Sequence, residues 1–303
     1  MNELIQKINK LKKEKNAVVL AHCYQNIEID LVADFVGDSL YLSKKAKETN
    51  ADIIVFAGVS FMAETAKLLS PDKKVLLPRP EAGCFMANMI DVQGLKEFKE
   101  KYPNRPVVCY VNSTASIKAE SDICCTSSNA VEIVKKLNEK EVLFVPDTYL
   151  GKWVEKQLDG VKVITYNGFC PTHLRVFADD VKNIRKKYPN AKILAHPECH
   201  HTVTNISDFV GSTKEIMDYV KNSNSKEFVI STEKGVFDRL QRDYKDKNFY
   251  MIKDNLICQN MKWNTLEDIY YSLLNETVEI TLDKSTMEKA KNCIERMFEK
   301  ELV

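Results

Sequence analysis

The sequence predicts an α/β fold made of three pseudo-symmetric α/β/α units with parallel sheets, and three observations carry that prediction. The first is a repeat. KYPNRPVVCYVN, beginning at Lys101, matches KYPNAKILAHPE, beginning at Lys187, at an offset of 86 residues. KNAVVLAHCYQN, from Lys15, fills the same slot 88 residues ahead, so that His22, Tyr110 and His196 correspond. The second is that another apolar run follows at the same offsets: ADIIVFAG, KEVLFVPD and KEFVISTE. The third is a helical stretch between the two runs, opening each time on a small polar cluster: GDSLYLSKKAK, CTSSNAVEIVKKL and GSTKEIMDYVK. Short apolar runs alternating with helical stretches are the pattern of parallel strands joined by crossover helices.

A third apolar run closes each unit, KVLLP, VKVITY and NFYMI, so the order within a unit is strand, helix, strand, helix, strand. The units span 1–92 with the N-terminal helix, 93–178 and 179–265, and a helical segment, 266–303, is expected to pack across them. Length alone would suggest about two domains. The repeat overrides that prior with units of roughly 85–90 residues, a size suited to small domains sharing an interior. No Pro/Ser/Gly-rich linker separates them.

Composition narrows the function. With 44 basic and 43 acidic residues the net charge is +1, which offers no electrostatic footprint for nucleic acid or an anionic membrane. Glycine is scarce, nine in 303, and neither GxGxxG nor GxxxxGK[ST] occurs, so a Gly-rich phosphate loop is not supported. The most apolar stretch, Ile53 to Ala63, falls short of the ~18 residues a membrane span needs. The opening MNELIQKINKLKKEKN reads as a charged amphipathic helix rather than a signal peptide, and a cytoplasmic protein is expected.

Nine cysteines are many for a reducing compartment, and the odd number argues against a disulfide framework. Cys84, Cys170 and Cys258 each follow the third run of their unit, at spacings of 86 and 88 that match the repeat. Cys23, Cys109, Cys124, Cys125, Cys199 and Cys293 have no such partners, and small buried apolar packing accounts for them. Three equivalent units around a pseudo-threefold axis bring three equivalent thiols to one point, which is costly as thiolates unless a cation neutralises them. Zinc and an iron–sulfur cluster are the candidates. Structural zinc usually takes four ligands, often in CxxC pairs that are absent here, though His173, three after Cys170, offers a fourth. A 4Fe–4S cluster held by three thiolates instead leaves one iron open to substrate.

Two further sets fall in register. At the strand ends stand His22 and Tyr24, Tyr110 and Asn112, and His196 and Glu198, and carboxyl ends of parallel strands are where α/β proteins bind ligands. His196 and Glu198 are candidates for an acid/base pair. The helix starts carry Ser39, Ser127 with Ser128, and Ser212 with Thr213. Such hydroxyls are ordinary N-caps, and Ser212 with Glu215 fits a capping box. A helix N-terminus also offers free N–H groups to an anion, so the same places suit a polycarboxylate or a phosphate.

AHCYQ, VGDSL, FAGVSFMAE, PEAGCFMANMI, CYVNSTA, CTSSNA, PDTYLGKW, GFCPTH, AHPEC, VGSTKEI, STEKGV and CQNMKWNTLEDI together resemble the quinolinate synthases, from about residue 21 to 268. The resemblance implies three α/β units around a central 4Fe–4S cluster on Cys84, Cys170 and Cys258. It implies condensation of iminoaspartate with dihydroxyacetone phosphate to quinolinate, in NAD biosynthesis, with loss of phosphate and two waters. It assigns dicarboxylate binding to His22, Ser39, Tyr110, Asn112, Ser127, His196, Glu198 and Thr213, with Tyr24, His173 and Ser212 lining the cavity. Glu198 tuned by His196 is the expected base, with Tyr24, His22 and Tyr110 also in catalytic roles. Functional coupling to an L-aspartate oxidase or dehydrogenase is a further implication, with no nucleic acid and no membrane partner. Two features depart from the family: only Cys293 stands where longer members carry CxxCxxC, and Gln259 follows Cys258 where many have proline. Other enzymes built on three cysteines, an isoprenoid-route reductase and diphthamide-type radical enzymes, share the layout but lack the AHxYQ, CTSSNA and HPEC combination. A non-catalytic iron–sulfur sensor or electron carrier is the rival of a different class.

Overall fold

Ile53–Ala57, with the sequence IIVFA, is buried along its whole length, as expected of a strand covered on both faces. It belongs to the first of three four-stranded sheets in a computed structural model that describes residues 1–299. The first sheet holds β1 (Ala17–His22), β2 (Phe35–Gly37), β3 (Ile53–Ala57) and β4 (Lys74–Leu76) in the order β2-β1-β3-β4. The second holds β5 (Val107–Tyr110), β6 (Ile123–Cys125), β7 (Glu141–Val145) and β8 (Lys162–Thr165) in the order β6-β5-β7-β8. The third holds β9 (Lys192–Ala195), β10 (Phe209–Val210), β11 (Glu227–Ser231) and β12 (Asn248–Met251) in the order β10-β9-β11-β12. All pairings within the sheets are parallel, and the strand order is the same three times.

The sheets thus have one strand more than the sequence pattern predicts. The added members, β2, β6 and β10, are edge strands of three, three and two residues. Runs so short show no alternation, and they pair on one side only. A carboxylate fixes each of them. Asp34, Asp122 and Asp208 accept from the backbone N–H of Val19, Val107 and Ile193 at 2.8, 2.7 and 2.9 Å. Each aspartate's own N–H donates back to the carbonyl of the same strand residue at 2.9–3.1 Å. The three clamps lie in repeat register.

The terminal helices cover unit one and join it to unit two. Ile8 of helix Asn2–Glu14 and Leu266, Ile269 and Leu273 of helix Leu266–Asn275 share one apolar cluster with Val19, Ala21, Val55 and Ala57. Ala290, Cys293 and Ile294 of helix Lys284–Arg296 enter a second cluster that runs through units one and two. Unit three keeps its own clusters on the two faces of its sheet. Among the described residues no helix is long and apolar enough to cross a membrane.

Candidate active site

The strand order puts β1, β5 and β9 inside their sheets, and their carboxyl ends open on one cavity of about 800 Å³, counting the part open to solvent. His22, Tyr24, Ser39, Cys84, Tyr110, Asn112, Ser127, Cys170, His173, His196, Glu198, Thr213 and Cys258 all line it. Of the residues expected at the site, Ser212 alone is not in that lining. Its Oγ accepts from the Glu215 N–H at 3.3 Å while Glu215 accepts from the Ser212 N–H at 2.7 Å, so the hydroxyl is used as a cap.

Register explains this difference. The polar clusters at the helix starts contain two rows. Ser39, Ser127 and Thr213 correspond and face the cavity, whereas Asp38, Thr126 and Ser212 precede them and order the local backbone. Asp38 caps helix Ser39–Glu48 by accepting from the Tyr41 N–H at 2.9 Å, and it accepts from Ser128 Oγ of unit two at 2.9 Å. Thr126 is held by Asn129 Oδ1 at 2.7 Å. The front row is left free to meet a ligand.

The two imidazoles at the strand ends are set alike. The Tyr24 N–H donates to His22 Nδ1 at 3.2 Å, and the Glu198 N–H donates to His196 Nδ1 at 3.3 Å. With Nδ1 accepting, the ring proton of each sits on Nε2. Burial pushes both imidazoles down to about 3, so they are neutral donors at neutral pH. Glu198 is nearly enclosed, and burial opposes its charge, but the imidazoles of His196 and His173 and the hydrogen bonds it accepts hold its carboxyl well below the usual range. Tyr110 Oη donates to Oε1 at 2.6 Å and His173 Nδ1 donates to Oε2 at 2.7 Å. His196 Nδ1 stands 3.9 Å from the same oxygen. The close partner of Glu198 is therefore His173 of unit two, not His196 as the HPE sequence suggests, because the backbone bond turns the His196 Nδ1 away. Burial, then the Glu198 charge, pushes the Tyr24 and Tyr110 phenols well up, so both keep their protons.

The three in-register cysteines are half-buried, whereas the other six are buried. Burial raises all three thiols, Cys84 to about 12, so a cation is needed to hold them as thiolates. Cys170 Sγ, a His173 ring nitrogen and a Glu198 oxygen also lie within 4.8 Å of one another, a set able to hold a metal. The loops are tied together behind them. Asn260 Nδ2 donates to the Gly83 carbonyl at 2.8 Å, and the Cys258 N–H donates to Glu233 Oε1 at 3.2 Å. Glu233, fully buried and paired with Lys262 at 3.1 Å, is a supporting residue that the sequence pattern does not reveal. Asn112 Oδ1 is buried and has no hydrogen-bond partner among the described residues, so a ligand donor suits it.

A family model described as quinolinate synthetase A protein matches residues 6–299. The chain belongs to this family. It is 53% identical over 301 residues to a quinolinate synthase of Alkaliphilus metalliredigens, covering 99% of both chains. It is 47% identical to one from Clostridium perfringens, over 97% of this chain and 98% of the relative. Against one from Aquifex aeolicus the identity is 45%, over 99% and 94%. The quinolinate synthetase A family is thus matched through all three units, and neither the reductase, the radical-enzyme nor the carrier reading finds support.

Proposed function

We propose that the chain is a quinolinate synthase that condenses iminoaspartate with dihydroxyacetone phosphate, releasing phosphate and two waters, in NAD biosynthesis. The observation that carries this reading is the family match over residues 6–299, joined to a cavity that gathers corresponding residues from three units. Cys84, Cys170 and Cys258 are the ligands of a 4Fe–4S cluster. The donor set fits it: three half-buried thiols, one from each unit, in a chain whose other six cysteines are buried. When bound, the cluster supplies an open iron as a Lewis acid for a substrate oxygen or nitrogen.

The chain's own residues do the rest. Ser39, Ser127 and Thr213, at three helix starts, receive the carboxylates and later the phosphate as fixed hydrogen-bond donors. Asn112 Oδ1 accepts from the substrate nitrogen or hydroxyl. His22 and His196, neutral with the proton on Nε2, donate into the cavity without adding charge. Glu198 is the base, kept ionised by Tyr110 and His173, and Tyr24 and Tyr110 return protons during isomerisation and ring closure. His173 serves as a positioning residue for Glu198. Ser212 supports Thr213 through its cap.

The division into 1–92, 93–178, 179–265 and 266–303 is part of the same proposal, supported by the threefold strand order; residues 300–303 lie outside the described residues. Nine free thiols are compatible with a reducing cytoplasm. The small-molecule partners are iminoaspartate and dihydroxyacetone phosphate, with coupling to the oxidase or dehydrogenase that supplies the former.

The test is iron and sulfide content of protein purified without oxygen, followed by quinolinate formation from the two substrates. About four irons per chain with product is expected, from a cluster of that type. A full cluster without product would overturn the activity, and zinc in its place would overturn the cofactor.

A further inference from the structure

Thr232 follows β11 directly, is fully buried, and stands behind the cavity wall rather than in it. Its hydroxyl has two neighbours. Tyr24 Oη of unit one lies 3.1 Å away and His173 Nε2 of unit two 2.9 Å away. His173 in turn donates from Nδ1 to Glu198, which also accepts from Tyr110. Five side chains from three units are thereby linked in the order Tyr24, Thr232, His173, Glu198, Tyr110, and Thr232 is the joint between the first and the third.

We infer that Thr232 is a positioning residue that sets the Tyr24 phenol and the His173 ring relative to each other, and through them Glu198. This inference rests on the proton roles given above to Tyr24 and Glu198. A hydroxyl has one proton and two lone pairs, so Thr232 serves both neighbours at once. Its β-branched carbon restricts χ1, which makes it a stiff anchor. The other partner of the Tyr24 phenol is Thr213 Oγ1, at 3.1 Å, a cavity-lining group assigned to substrate. When substrate engages Thr213, Thr232 is the hydroxyl that keeps the phenol in place. The backbone of Tyr24 is fixed independently: Lys262 Nζ donates to the Tyr24 carbonyl, and Arg239 donates to the carbonyls of Cys23 and Gln25 on either side. Loss of the Thr232 hydroxyl would therefore release the phenol and the imidazole without releasing the loop.

The experiment uses the iron-loaded enzyme with Thr232→Val, Thr232→Ser, Tyr24→Phe and the Val/Phe double variant. Thr232→Val keeps the shape and removes both bonds. It is expected to keep its iron and its affinity for quinolinate by calorimetry, while kcat falls about 10–100-fold, the range for a reacting group misplaced by about 1 Å. Thr232→Ser restores kcat to within about threefold of the starting enzyme, since the hydroxyl returns. Thr232→Val adds little to Tyr24→Phe, because both act through the same phenol. Equal kcat in Thr232→Val, failure of serine to rescue, additive losses in the double variant, or loss of iron in Thr232→Val each overturn the inference. The last would make Thr232 a packing residue. Absence of quinolinate formation by the unsubstituted enzyme instead sinks the functional reading itself.

Discussion

Gly235 of unit three lies against the backbone of Tyr24 in unit one. A methyl group on it would stand 2.5 Å from the Cys23 carbonyl oxygen and 2.9 Å from the Tyr24 Cα. The Gly235 N–H is held by Glu233 Oε2 at 2.6 Å, and its carbonyl accepts from Arg239, so the glycine has little room to retreat. The residue that follows Glu233, the support of Cys258, is thus joined to the loop that carries Tyr24. Gly235→Ala is expected to displace that loop, destabilise the protein by about 1–3 kcal/mol as overpacking does, and lower kcat more than it raises KM. Thermal unfolding with steady-state kinetics checks it, and an alanine variant matching the parent in both would remove the close approach from the account.

Glu198→Gln separates the base from the cofactor. The amide keeps the shape and a hydrogen bond to Tyr110, and Glu198 is not one of the three thiol ligands. Iron content is expected to stay at the parent level while turnover falls about 10²–10⁴-fold, the usual contribution of a general base. Near-normal turnover would move the base to another residue, and loss of iron would make Glu198 a ligand.

The thiols make a sharper division. Cys170→Ala is expected to lose the brown chromophore and most of the iron. Cys124→Ala is expected to keep both, although Cys124 Sγ lies 3.5 Å from Cys293 Sγ in the interior between unit two and the C-terminal helix. The second substitution costs packing alone, on the order of 1 kcal/mol for so small a truncation. Iron and sulfide assays on both variants test the assignment, and an intact cluster in Cys170→Ala refutes it.

Much of this architecture is legible in the residues, and the reason is the repeat. A single AHCYQ or CTSSN is weak alone, but correspondence at 86 and 88 residues sorts the cysteines, strand ends and helix starts without any coordinates. What escapes is of two kinds. The edge strands escape because two or three residues carry no period, and the clamps at Asp34, Asp122 and Asp208 escape because an aspartate before a short run looks like a turn. DFVG, DICC and DFVG were in register all along. Contacts between units escape because they depend on how the units are turned toward one another. The preference of Glu198 for His173 over His196, and the position of Thr232 between Tyr24 and His173, are of that kind.

Asp122→Ala tests the clamps. It leaves the Val107 N–H without its carboxylate acceptor and loosens β6 from β5 at the edge of sheet two. A charge-assisted bond of this sort contributes about 1.5–3 kcal/mol. Destabilisation in that range by urea unfolding is expected, with Asp122→Asn, which retains an acceptor oxygen, recovering part of it. A loss below experimental error would mean that water replaces the carboxylate at no cost.

Acid sensitivity follows from the neutral imidazoles. His22 and His196 are held down to about 3 in the folded protein by burial, while an exposed imidazole titrates near ~6.5. Between those values the unfolded chain binds more protons than the folded one, so stability is complete above about pH 6.5 and falls as the pH drops toward 3. At pH 5 each such histidine accounts for about 2 kcal/mol of lost stability, from roughly 1.5 pH units at 1.36 kcal/mol each. His22→Gln removes one of them. Its unfolding free energy in urea, measured without oxygen on iron-loaded protein, is expected to change between pH 7 and pH 5 by about 2 kcal/mol less than that of the parent. The sign is the test: a variant that loses as much as the parent over this interval would mean that His22 titrates alike in both states, and its fixed role as a neutral Nε2–H donor would fall with that result.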